Sequence, residues 1–229
     1  MNNNDYFLKN KQLLGRNYEN IKNKKVAVIG LGGVGCFAVE SLVRLGVENI
    51  LICDFDKVDK TNINRQIIAN KKSINKKKTY LFKKRIKKIN PNINLTIKDM
   101  KIDEKTIENL FEEKIDFLID AIDTIYSKTL LIKECSKRNI KMVSCLAMGN
   151  RVDPTQIKIG CFNDALISKD PIAKKIKSIL KENITVLDNN LFVYSSEISK
   201  IKIKPPSSIV LTPSCAGIYC SYVFLKTFL

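Results

Sequence analysis

An α/β fold, a mostly parallel sheet with helices on both faces, is what this sequence predicts, and three observations predict it. An apolar strand, Val26-Ala27-Val28-Ile29, runs straight into a glycine-rich turn. Short β-branched runs then alternate with helical patterns, as βαβ units do. A second strand ends in Ile52-Cys53-Asp54, which places a carboxylate about 20 residues beyond the glycines, where a nucleotide ribose lies in Rossmann-like sheets. Gly30, Gly32 and Gly35 keep the G-x-G-x-x-G spacing, with Gly33 an additional glycine inside it. Glycines permit the tight turn and let backbone N–H groups approach phosphate oxygens where a Cβ would collide.

The elements follow in order. The first 24 residues read as a polar arm with a short helix over 12–21. Strands are expected near 26–29, 49–53, 93–98, 115–120 and 140–145, with helices over 34–45, 74–89, 103–112 and 127–138 between them. After Asp153-Pro154 the texture changes. Residues 155–159 alternate like a strand, and Pro171 opens a basic helix to about Lys181. Shorter β-like pieces stand at 184–187, 191–194 and 200–204, and Pro205-Pro206 breaks the chain before a terminal helix. We expect a single domain over 1–229. Its nucleotide-binding core spans 12–161, and a smaller substrate-facing extension with the terminal helix spans 162–229.

Composition narrows the chemistry. A formal charge of +17 suits a phosphate-rich partner such as nucleic acid. The excess of 34 Lys over 6 Arg is also what AT-rich coding produces. There is no histidine, which removes Ser-His-Asp and Cys-His catalysis and every His-ligated metal site. Seven cysteines without a C-x-x-C pair read as reduced thiols. The start, Met-Asn-Asn-Asn-Asp, has no apolar core for a secretory signal, so a cytoplasmic protein is expected. Residues 209–229 are apolar, but Thr212, Pro213, Ser214, Ser221, Lys226 and Thr227 interrupt them. A buried terminal helix is expected there, with no insertion into a membrane.

The glycine turn alone does not choose between NAD, FAD and adenylating enzymes. Four further features do. Asp54-Phe55-Asp56 is followed by Thr61-Asn62-Ile63-Asn64-Arg65-Gln66, and an Asn and an Arg just past the ribose carboxylate make sense where a triphosphate must be held. Lys78 opens a helix and adds a cation within reach of phosphates. It lies in the run Lys71 to Lys88, which has ten basic residues and no acidic one. Leu118-Ile119-Asp120-Ala121-Ile122-Asp123 is a buried strand leading to an aspartate at its C-terminal end. Asp123 is the expected Mg²⁺ ligand or anchor of its waters, while Asp120 reads as structural. Arg16 sits on the N-terminal arm.

In order, these motifs resemble the ThiF/MoeB-like adenylating superfamily of ubiquitin-activating type, over about 12–161. By that resemblance Gly30, Gly32, Gly33, Gly35, Asp54, Asn62, Arg65, Gln66 and Lys78 bind ATP, and Asp123 holds Mg²⁺. Arg16, Arg65, Lys78 and Asp123 are the catalytic set, with Arg16 reaching into the neighbouring subunit of a homodimer. Val152-Asp153-Pro154-Thr155-Gln156-Ile157, Asp170-Pro171-Ile172-Ala173-Lys174-Lys175, Val193 to Glu197 and the ending Pro213-Ser214-Cys215-Ala216-Gly217 resemble the branch that dehydrates threonylcarbamoyladenosine in tRNA. The chain departs from that branch in being short between Glu197 and Ser207.

The implied reaction is ATP-dependent cyclisation beside the anticodon, through an acyl-adenylate at the threonyl carboxylate. A sulfur-transfer protein is a further partner the resemblance brings in. The alternative within the superfamily is an adenylating activator of a ubiquitin-like sulfur-carrier C-terminus. An NAD-dependent oxidoreductase would leave Arg65, Lys78 and Asp123 without a common purpose. A non-catalytic tRNA-binding protein would not need the whole set of ATP residues.

Overall fold

The run ahead of the glycine turn forms β1 (Lys25–Ile29), which lies inside a sheet because every residue after Lys25 is apolar and buried. In the computed structural model, which describes residues 5–188, 190–200 and 203–229, β1 is flanked by β2 (Asn49–Cys53) and β4 (Phe117–Asp120). β3 (Asn94–Lys98), β5 (Lys141–Cys145), β6 (Ile157–Gly160) and β7 (Leu191–Ser195) complete the order β3-β2-β1-β4-β5-β7-β6. All the pairings are parallel except β6 on β7, which closes one edge antiparallel.

Burial on both faces explains the continuous apolar strands. Val26, Val28, Ile50, Ile52 and Ile119 pack beneath α3 (Gly35–Leu45), α4 (Lys78–Ile89) and the terminal helix α9 (Leu211–Phe228). Ala27, Ile29, Leu51 and Leu118 face α5 (Ile107–Leu110), α6 (Ile125–Lys137), α7 (Phe162–Ile167) and α8 (Pro171–Leu180). α9 lies directly on α3 because residue 217 is glycine: a Cβ there would stand 3.0 Å from the Ala38 nitrogen and closer still to the Val34 carbonyl. Strand order reverses between β1 and β4, since β2 and β3 extend one way and β4 and β5 the other. A crevice at the C-terminal strand ends is the consequence, and it is where open α/β sheets bind ligands.

Several elements differ in extent from the sequence reading, each for a local reason. The arm helix is two helices, α1 (Leu8–Leu14) and α2 (Asn17–Asn23), separated by Gly15 at φ 55°. The helix expected over 74–89 begins only at Lys78, because Asn75 takes a left-handed φ of 64°. That expected over 103–112 shrinks to α5. The Asp103 carboxylate accepts the Lys105 and Thr106 N–H groups in place of a first helical turn. The β-like piece at 184–187 belongs to a 3-10 helix, Lys181–Leu187, which turns Ile184 and Leu187 toward the α6 side of the core. Of the piece at 200–204, residues 201 and 202 lie outside the described residues, and 203–204 form no strand. Among the described residues, no helix is long and apolar enough to cross a membrane.

Candidate active site

The glycine turn is built by three different constraints. Gly30 has φ 90°, and a Cβ on it would stand 2.8 Å from the Ala121 carbonyl oxygen. A Cβ on Gly35 would collide with the Gly30 carbonyl, so the turn into α3 closes only without side chains. Gly32 has nothing within 4 Å of the Cβ position, leaving open space at the backbone N–H groups of the turn. Gly33 is covered from outside by Pro213 of α9 and by the Arg65 stem, 3.1 and 3.5 Å from a Cβ placed there. This arrangement fits an approaching phosphate, at the N-terminal end of α3 where the helix dipole favours an anion.

Asp54 fastens this turn to the end of β2. Its Oδ2 accepts the Leu31 N–H at 2.6 Å and its Oδ1 the Asp56 N–H at 2.7 Å. Lys78, only 5 % exposed, donates to Asp56 Oδ2 at 2.8 Å and lies 3.9 Å from Asp54 Oδ2. Lys78 is therefore no solvated lysine of a basic face. Sequence reasoning saw Asp56 but gave it no role, because only the fold brings α4 beside the end of β2 and pairs it with Lys78.

The segment between them carries the remaining polar set. Asn62 is buried and its Oδ1 accepts the Asp59 N–H at 3.1 Å, closing a reciprocal cap on a 3-10 turn over Lys60–Asn62. Arg65 donates to the Thr61 carbonyl at 2.7 Å and to Asn64 Oδ1 at 2.9 Å. Gln66 is buried, and its Oε1 has no partner among the described residues. Asp123 stands exposed just past β4, with a 3.4 Å contact from Thr124 Oγ1. Among the described residues no group of three or more His, Cys, Asp or Glu could hold a metal. A lone carboxylate suits a Mg²⁺ whose other ligands are phosphate oxygens and water.

Arg16 is the one member of the sequence-predicted set far from its own site. It is exposed at the start of α2, whose Tyr18 packs against Gly46 beyond the C-terminal end of α3. The glycine turn lies at the other end of that helix, about 16 Å away for its length.

The ThiF family profile covers residues 8–227. The chain belongs to the ThiF family. Among its relatives the tRNA threonylcarbamoyladenosine dehydratase of Bacillus subtilis (strain 168) is 40% identical, over 93% of this chain and 90% of its own length. The enzyme of the same name from Escherichia coli (strain K12) is 33% identical over 72% of this chain and 61% of its own. The solved structure of that E. coli dehydratase in complex with ATP superposes with a TM-score of 0.90 at 28% identity, covering 97% of this chain and 93% of the other. The ThiF architecture thus extends through α9, which forms one wall of the glycine turn.

Proposed function

We propose that this chain dehydrates threonylcarbamoyladenosine beside the anticodon of tRNA at the expense of ATP. The full-length likeness to the B. subtilis dehydratase carries this reading, together with a crevice that meets the needs of a nucleotide. The threonyl carboxylate is a poor electrophile because an oxide leaves badly. Its attack on the α-phosphate of ATP forms an acyl-adenylate and expels pyrophosphate. An internal nucleophile of the carbamoyl group then closes a ring on the acyl carbon, and AMP departs with the carboxylate oxygen. The net change in the nucleoside is loss of water. No enzyme nucleophile is needed, which agrees with a chain that has no histidine.

In this reading the protein positions reactants and offsets charge. The turn over Gly30, Gly32, Gly33 and Gly35 takes the phosphates, and Asp54 takes the ribose hydroxyls on its remaining lone pairs. Asn62 and Gln66 offer amide groups, and Arg65 and Lys78 supply cations along the triphosphate. Mg²⁺ held by Asp123 would add charge neutralisation at the phosphate oxygens. Residues 12–161 form the nucleotide half of a single domain, closed by α9, and the part of 162–229 ahead of α9 faces the RNA. A cytoplasmic location goes with a tRNA substrate, and a sulfur-transfer protein is a further partner of the same reading.

The protein acts as a homodimer that exchanges Arg16. What supports this is the run of α9, about 27 Å long for its 18 residues. Its first turn covers the glycine turn through Pro213, and its last turn is tied to α2 by Asn20, which donates to the Phe228 carbonyl at 2.7 Å. Leu211, Ile218 and Tyr222 form an exposed apolar stripe between those ends. A two-fold pairing of two such stripes, antiparallel, would carry each α2 with its Arg16 to the partner's glycine turn.

Incubation of the purified protein with ATP, Mg²⁺ and threonylcarbamoyladenosine-bearing tRNA tests the function. Nucleoside mass spectrometry should show a product lighter by one water, formed with stoichiometric AMP. Adenylation of a sulfur-carrier protein's C-terminal carboxylate, with pyrophosphate released and no change in the nucleoside, would favour the other adenylating reading.

A further inference from the structure

Arg151 is buried to 9 % exposure, yet its guanidinium makes no hydrogen bond or ion pair with any described residue. Its Nε is fully enclosed without a partner. A guanidinium cannot give up its charge in a protein, and here the Nη groups, which are not enclosed as Nε is, stay open to an anion. Asp170 is close enough for its carboxyl to feel the Arg151 charge, but it is already committed. Its Oδ1 accepts the Ile172 and Ala173 N–H groups at 2.8 and 3.0 Å, and its Oδ2 accepts the Ala147 N–H at 3.2 Å.

The position of Arg151 points to the missing anion. Along the C-terminal edge of the sheet, the glycine turn follows β1, Asp123 follows β4, and the segment carrying Arg151 follows β5. In the reading above the nucleotide lies over β1 and β2, which leaves the β5 side open to the group that attacks its α-phosphate. Arg151 is also coupled to the glycine turn. Its carbonyl accepts from Thr212 Oγ1 at 3.3 Å, and the next residue, Pro213, is the one that covers Gly33. Sequence reading passed over Arg151, whose burial is a tertiary property.

We propose that Arg151 receives the threonyl carboxylate of the substrate and presents it to the α-phosphate. This rests on the dehydratase reading of the site. The guanidinium fork fits a carboxylate in two parallel hydrogen bonds and would make the site select an acid over a neutral group. Adenylation removes the charge of the carboxylate, so the grip loosens at the step where the acyl carbon must turn toward the carbamoyl nucleophile.

The test uses the full-length protein with a non-hydrolysable ATP analogue and two anticodon stem–loop RNAs. One carries threonylcarbamoyladenosine as the free acid, the other as its methyl ester. The wild type should bind the acid roughly ten-fold or more tightly than the ester, the scale of charge-assisted hydrogen bonds. Arg151→Met should bring the two affinities together while leaving affinity for the ATP analogue unchanged, which also reports that the variant folds. Should Arg151→Met fail to bind the analogue, Arg151→Gln carries the same comparison. Arg151→Lys should keep part of the preference. A wild-type preference that survives in the Met or Gln variant overturns the proposal, as does a wild type that turns over the acid RNA without preferring it to the ester. Turnover of the acid RNA by the wild type is scored separately. If there is none, the dehydratase reading falls and this role falls with it.

Discussion

Lys128 donates to Asp120 Oδ2 at 2.7 Å, and both side chains are fully buried. The same ammonium donates to Ser144 Oγ at 3.1 Å and to the Cys145 carbonyl at 2.8 Å, so its three protons are all used. Asp120 Oδ1 in turn accepts the Ile122 N–H at 3.1 Å. One ion pair thereby clamps the ends of β4 and β5 and sets the course of the loop that presents Asp123.

Removing one partner should therefore be severe. Lys128→Met leaves a buried, uncompensated carboxylate, and we expect a loss of about 3–5 kcal/mol in urea-induced unfolding. The double change Lys128→Met with Asp120→Leu removes both charges and should recover much of that loss. A single variant as stable as the wild type would mean that the clamp is not energetically coupled to folding.

Asp123→Asn, by contrast, changes an exposed side chain with no ion pair among the described residues. The thermal transition should stay at the wild-type value while AMP formation on modified tRNA is lost. Near-normal turnover at saturating Mg²⁺ would remove Asp123 from the metal site.

How much of this was legible in the sequence follows from the range of each interaction. Val26 to Gly35 announced both a strand and its turn because apolar content and glycine spacing are local. Asp54, Arg65 and Asp123 were found through their positions after strands. The Asp56–Lys78 pair joins residues 22 apart and needs the packing of α4 to exist. Lys128 reads as one more lysine on an amphipathic helix until α6 is laid on the sheet. The place of β7, inserted between β5 and β6, depends on long-range pairing that no local pattern carries. The burial of Arg151 is hidden for the same reason.

Exchange of Arg16 can be tested by mixing inactive subunits. An Arg16→Ala subunit combined with an Asp123→Asn subunit has one complete site per heterodimer if the arm acts in trans. Random exchange should then restore about a quarter of wild-type activity, since half of the dimers are mixed and each has one working site. Confirmed exchange with no recovery would show that Arg16 does not serve the partner.

All seven cysteines are free, and they differ sharply in access. Burial pushes the Cys36 thiol up to about 11 and the Cys53 thiol up to about 12, so almost none of either is thiolate at pH 8. Cys161 is exposed at the start of α7. Iodoacetamide under native conditions should label Cys161 first and leave Cys36 and Cys53 untouched until the protein is unfolded, as read by peptide mass spectrometry. Rapid labelling of Cys53 in the folded protein would mean that the end of β2, and with it Asp54, opens readily.

Which part of the basic charge meets RNA can be tested helix by helix. α4 and α8, the two lysine-rich helices, pack on opposite faces. α4 lies with α3 beside the glycine turn, while α8 starts where Asp170 holds the Ala147 N–H past β5, on the side where the proposed RNA carboxylate would enter. Lys174, Lys175 and Lys177 are all exposed on α8. Changing these three to Gln should weaken tRNA binding and lower the magnitude of the log–log salt slope, by up to about 1 for each phosphate that a lysine no longer neutralises. The matched change of Lys83, Lys84 and Lys88 on α4, also exposed, should leave the slope as it is. ATP affinity should hold in both variants, since neither trio touches the glycine turn. A slope that falls with the α4 trio and not with the α8 trio would place the RNA over the nucleotide half. A slope unmoved by either would leave the lysines of both helices as a product of coding composition.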